Sequence, residues 1–243
     1  MRSLLLTLKH KLRYPADPYG THAPFLKASI DYLVCTRKPE QRIVMFEVGT
    51  GGLSSKIFQS VISTTENTRL VSLENDENWI ATYKRKYPFH ENWNMICEPK
   101  NSLWNSIITA EVKKLSGEDI VISFIDSSPW ESRFEALQIL KERSNLIVFH
   151  DVDYFPTNGI FGRELSPIRN QPRPFFRYGN LKRANLGLRN YDDVFSSWVE
   201  VFPLKPGWFT GPPTLIGSNS QDVSEIRIPR KSIVFMSNQH GGH

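Results

Sequence analysis

The chain has 243 residues, 40% of them apolar and 23% charged, an ordinary globular balance that excludes disorder over most of its length. That length suffices for one α/β domain with a full core and is short for two large ones. A net charge of +5 permits an anionic cofactor or substrate without implying nucleic acid, and no stretch approaches the roughly 20 apolar residues of a membrane span.

Residues 1–40 read as an N-terminal helical cap whose apolar side carries Phe25, Ile30 and Leu33. The short run Leu4, Leu5, Leu6 is broken at once by Lys9, His10, Lys11 and Arg13, so it is no signal-peptide core. Cys35 and Cys97 match no metal or redox spacing, which favours free thiols in a reducing, cytoplasmic compartment.

From residue 41 strand and helix signals alternate, as in a parallel sheet with helices on both faces. Ile43–Val48 is a nearly unbroken apolar run, the mark of a strand covered on both sides. Gly49, Thr50, Gly51 and Gly52 turn the chain, and a helix is expected from Ser54 and Ser55, residue types that cap helix starts. A second strand over 69–73 ends at Glu74. A helix over 75–87 follows, with Trp79, Ile80, Tyr83 and Tyr87 on its apolar spacing. The third strand spans 93–97, then come a helix over 102–115 and a fourth strand over 120–125 that ends at Asp126. A helix over 133–143 leads to a fifth strand over 146–149, ending at His150 and Asp151.

Residues 152–196 break the pattern. They hold seven basic against four acidic residues and read as a long excursion over the sheet's carboxyl edge, the substrate side. Segments 198–202 and 214–217 look like two closing strands. The tail, 221–243, contains one more edge strand or packed segment at 232–236.

The glycine turn carries the chemistry. Glycines let a backbone approach a ligand closely, because no Cβ intervenes. A dinucleotide is disfavoured, since Ser54 stands where a third glycine is expected and Glu47 would repel a pyrophosphate. Glu47 would instead attract an ammonium. Glu74, 25 residues beyond Gly49, is placed to accept hydrogen bonds from a ribose.

These residues resemble the class I S-adenosylmethionine-dependent methyltransferases. The likeness rests on Val44–Gly52 and on Leu73–Asp76, and covers roughly residues 40–220. It implies a Rossmann-like, seven-stranded, mostly parallel sheet with its last strand antiparallel. It also implies S-adenosylmethionine as cofactor. By the same resemblance Glu47, Gly49 and Gly51 hold the methionine portion, Glu74 the ribose, Asn101 and Ser102 lie near the adenine, and Thr50 and Asn75 belong to the same cofactor site. Asp126 faces the methyl group.

Three readings stand for Asp126, His150 and Asp151. Such a His beside carboxylates can take a proton from an acceptor hydroxyl. The same groups can hold a divalent metal, a reading disfavoured by His-Asp standing where the metal-using group has Asp-Asn. They can also be structural strand ends. His22, in a Gly-Thr-His-Ala-Pro segment, is a candidate second catalytic histidine, and Arg133 either positions an anionic acceptor or pairs with Glu131 or Glu135. The favoured activity is methyl transfer to oxygen of a small-molecule or sugar-like acceptor, anionic ones included. Arg163, Arg169, Arg173, Arg177, Lys182, Arg183 and Arg189, interleaved with aromatics, make an RNA methyltransferase the rival. A non-catalytic Rossmann-like binding protein is the third reading.

Overall fold

The computed structural model describes residues 22–86, 90–150, 156–157, 160–161, 191, 194–203, 214–228 and 232–236. Helix α1 is Ala23–Thr36. Then alternate β1 (Ile43–Val48), α2 (Ser54–Thr64), β2 (Thr68–Glu74), α3 (Glu77–Lys86), β3 (Trp93–Cys97), α4 (Trp104–Val112), β4 (Ile120–Ile125), α5 (Trp130–Leu140) and β5 (Leu146–His150). Two short strands, β6 (Pro156–Thr157) and β7 (Ile160–Phe161), pair with each other. Strands β8 (Ser197–Pro203), β9 (Thr214–Ser218) and β10 (Ser232–Met236) complete the main sheet.

The main sheet runs β10-β8-β9-β5-β4-β1-β2-β3. β1 through β5 pair in parallel. β9 is antiparallel to both β5 and β8, which leaves β8 parallel to β5. This is the expected seven-stranded, mostly parallel sheet. Segment 232–236 adds an eighth strand, β10, antiparallel to β8 at the edge.

Strand alternation divides the core into two layers. Val44, Phe46 and Val48 of β1 face Trp104, Ile108, Leu137 and Leu140 of α4 and α5. Ile43 and Met45 face the other way, toward Phe25, Leu26, Ile30 and Leu33 of α1 and Phe58 and Ile62 of α2. The apolar side expected for the N-terminal helix is therefore buried against the sheet, where α1 lies over β4, β5 and β9. Each such side chain contributes on the order of 2 kcal/mol of burial.

Helix boundaries differ from the sequence reading. α5 starts at Trp130 rather than at 133, because Pro129 (φ −72°) turns the chain directly into the helix. The expected helix over 102–115 is a 3-10 turn, Asn101–Leu103, followed by the shorter α4. No helix among the described residues is long and apolar enough to cross a membrane.

Candidate active site

The strand order reverses between β1 and β4, with β2 and β3 on one side and β5 on the other. In an open α/β sheet this reversal opens a crevice at the strands' carboxyl ends, where ligands bind. The turn after β1, Glu74 at the end of β2, Asp126 after β4 and His150 at the end of β5 all lie on that rim.

Gly49 has φ +88°, and a Cβ placed there would stand 2.6 Å from the backbone oxygen of Asp126 and from Ser127 Cα. The neighbouring chain after β4 therefore demands this glycine, whatever ligand the turn holds. Gly51 is pinned through its carbonyl, which accepts a hydrogen bond from the Tyr83 hydroxyl, and a Cβ there would meet Ser54 Oγ at 2.8 Å. The Trp79 indole donates to the Thr50 carbonyl at 3.2 Å.

Glu47 is not presented to the crevice. It is fully buried, with Oε1 accepting from Ser54 (2.8 Å) and Ser55 (2.6 Å) and Oε2 from Ser72 (2.7 Å). Its expected contact with an ammonium is corrected accordingly. Alternation sends the side chain at 47 under α2, on the same face as Ile43 and Met45. Burial pushes its carboxyl up to about 7, against the pull of the Ser55, Ser72 and Ser54 hydroxyls. Ser54 and Ser55 are likewise not caps: α2 is preceded by Leu53 with no side-chain cap, and both hydroxyls serve Glu47.

Glu74, at 8% exposure, is fastened to the turn. Its Oε2 accepts from Thr50 N (2.9 Å) and Thr50 Oγ1 (2.7 Å), and its Oε1 from the backbone of Asn75 (2.8 Å) and Asp76 (3.1 Å). Asn75 Nδ2 donates to Asn101 Oδ1 at 3.1 Å and to the Ser128 carbonyl at 2.8 Å. The sequence-predicted residues Thr50, Glu74, Asn75 and Asn101 thus form one connected rim, with Ser102 exposed beside it.

Across the crevice, Asp126 gathers both predicted histidines. His150 Nδ1 lies 3.0 Å from Asp126 Oδ2, and His22 Nδ1 lies 4.0 Å from the same oxygen. The two imidazoles meet edge to face with centroids 4.6 Å apart. Arg133 joins them in a role neither sequence reading foresaw. It donates to Asp126 Oδ1 at 2.8 Å, to the His150 carbonyl at 3.0 Å and to the Ser127 carbonyl. Burial alone would raise the Asp126 carboxyl; His150 and Arg133 beside it, with His22, hold it down to about 2. His22, Asp126 and His150 offer three ligand atoms within 4.8 Å of one another, a spacing that a cation could draw together. The guanidinium on Oδ1 works against a second positive charge there.

Trp79 and Tyr83, an apolar helix stripe in the sequence, hold the turn's carbonyls. Their polar tips at i, i+4 spacing, one turn beyond Glu74, were the available signal. Asp151 and the seven basic residues from Arg163 to Arg189 lie outside the described residues.

No family model matches the chain, and no curated protein matches it. Solved structures match it in fold. The carbon methyltransferase CurJ superposes with a TM-score of 0.52 at 12% identity, over 89% of this chain and 58% of that one. This is the fold of the class I methyltransferases. The O-methyltransferase TomG from Streptomyces achromogenes, in complex with S-adenosylmethionine, gives 0.49 at 13% identity, over 88% and 96%. A probable spermidine synthase from Corynebacterium glutamicum gives 0.47 at 11%, over 82% and 64%. The chain spans less than two thirds of the length of CurJ and of the spermidine synthase.

Proposed function

We propose that this chain is an S-adenosylmethionine-dependent methyltransferase acting on an oxygen of a small-molecule or sugar-like acceptor. One observation carries the reading. A single rim, at the sheet's switch point, carries both a carboxylate fastened to a glycine turn and a part-buried Asp126 paired with the buried His150.

The rim fits a nucleoside. Glu74 is an acceptor suited to a ribose hydroxyl, and Asn75 and Asn101 place amides beside it for a base edge. Bound there, S-adenosylmethionine supplies an electrophilic methyl group on a sulfonium.

Asp126 is a weak base, since its neighbours keep it ionised down to about pH 2. An ionised carboxylate only accepts, so Nδ1 of His150 carries the proton that bridges to Asp126 Oδ2. Nε2 of His150 is then the basic nitrogen, and it takes the acceptor hydroxyl's proton. Arg133 locks the pair by tying Asp126 to the backbone of Ser127 and His150. His22 packs on the same imidazole and keeps water from it.

The test is calorimetric titration of the full chain with S-adenosylhomocysteine, with NAD in parallel. Micromolar binding of the first alone is expected. Binding of NAD alone would replace the reading with an oxidoreductase.

A further inference from the structure

The geometry points to Thr50 as a built-in competitor for the ribose position, its hydroxyl standing in the free protein where a ribose hydroxyl stands in the bound one. The inference rests on the methyltransferase reading and concerns the same rim.

A carboxylate has about four acceptor positions. At Glu74 all four are filled: Oε2 by Thr50 N and Thr50 Oγ1, Oε1 by the backbone amides of Asn75 and Asp76. Three of these donors are backbone amides and cannot leave without unmaking the turn. The turn itself is held from outside, since Trp79 grips the Thr50 carbonyl and Tyr83 the Gly51 carbonyl. Only the Thr50 hydroxyl rides on a rotor, and one χ1 step moves it off Oε2.

A ribose hydroxyl therefore reaches Glu74 by exchange. One O–H···O⁻ bond forms as another breaks, with the backbone fixed. Ligands able to repeat the displaced bond enter. Ligands without a ribose hydroxyl must either leave Thr50 in place and lose the space or move it and leave the carboxylate short of a donor. The contact keeps Glu74 satisfied when nothing is bound and sets the loss of one hydrogen bond against the one that a ribose hydroxyl makes.

Thr50→Val keeps the shape and removes the hydroxyl. Its free form lacks one charge-assisted hydrogen bond, so its melting temperature falls. S-Adenosylhomocysteine binds about tenfold more tightly, the equivalent of one such bond. The 2′,3′-dideoxy analogue gains nothing, so the ratio of the two affinities widens by the same factor. Thr50→Ser restores the hydroxyl and returns both values toward wild type. Thr50→Ala repeats the gain if the valine variant folds poorly.

The experiment is titration of wild type and these three variants with both ligands. Tightening confined to the ribose-bearing ligand establishes the inference. Wild-type binding with no tightening in Thr50→Val or Thr50→Ala overturns it and leaves the methyltransferase reading intact. Binding by the valine variant alone supports both. Binding by none overturns both.

Discussion

Glu47 of β1 and Asp126, just past the neighbouring β4, are two carboxylates whose acidities part in opposite directions. Glu47 is surrounded by neutral donors, three serine hydroxyls, and burial prevails: its carboxyl rises to about 7. Asp126 is part-buried, but His150 and Arg133 stand against it, and its carboxyl falls to about 2. Hydroxyls satisfy an anion's hydrogen bonds without offsetting its lost hydration; a charged partner does both. The first arrangement ties β1, β2 and α2 together beneath the glycine turn. The second keeps a permanent negative charge that fixes the proton on one nitrogen of His150. One residue class thus serves as a fastener at the one place and as part of a candidate catalytic pair at the other.

The contrast breaks most severely at Asp126. Asp126→Asn should lower turnover by roughly 10²–10⁴-fold, the usual range for general-base assistance, with S-adenosylhomocysteine affinity nearly unchanged. His150→Ala should cost about as much, and the double variant little more than either, because the two act as a unit. Steady-state kinetics on an identified acceptor read this directly, and full turnover in either variant would move the base elsewhere.

At Glu47 the expected effect is on stability. A carboxyl raised from its ordinary value to about 7 stabilises the fold most at low pH. That contribution, about 3 kcal/mol by the linkage relation, is lost as pH climbs from near 4.5 to near 7. Urea unfolding of wild type and Glu47→Gln at pH 5 and pH 8 should show the slope only in wild type. A slope that persists in the variant would assign the titration to another group.

Asp126 should give the opposite limb. Its depressed carboxyl contributes stability above about pH 4, lost as pH falls toward 2. The magnitude is about 2 kcal/mol, and an acid-unfolding curve of Asp126→Asn should lack that step. The smallest effect belongs to a charge pair at the sheet's other edge. Arg42 meets Asp119 through two hydrogen bonds, but its side chain is 36% exposed. Arg42→Gln should cost about 1 kcal/mol or less in thermal unfolding, with no change in ligand affinity. A loss as large as that at Asp126 would mean that burial of a charge, and not the company it keeps, decides its role.

The sequence by itself determined the alternation of strand and helix, because buried parallel strands must be continuous apolar runs and their helices must carry one apolar stripe. It also placed Glu74, Asp126 and His150 at strand ends, since each apolar run stops at a polar residue. Where a side chain points at such an end, and what already occupies its acceptors, depends on neighbours remote in the chain. Only the tertiary structure turned Glu47 under α2 toward Ser72, brought His22 from ahead of β1 onto Asp126, and spent Arg133 on Asp126 and two backbone carbonyls. Only it showed that Gly49 is required by the backbone of Asp126 and Ser127. A local pattern records which residues can meet a ligand; packing decides which of their hydrogen bonds the protein has already used.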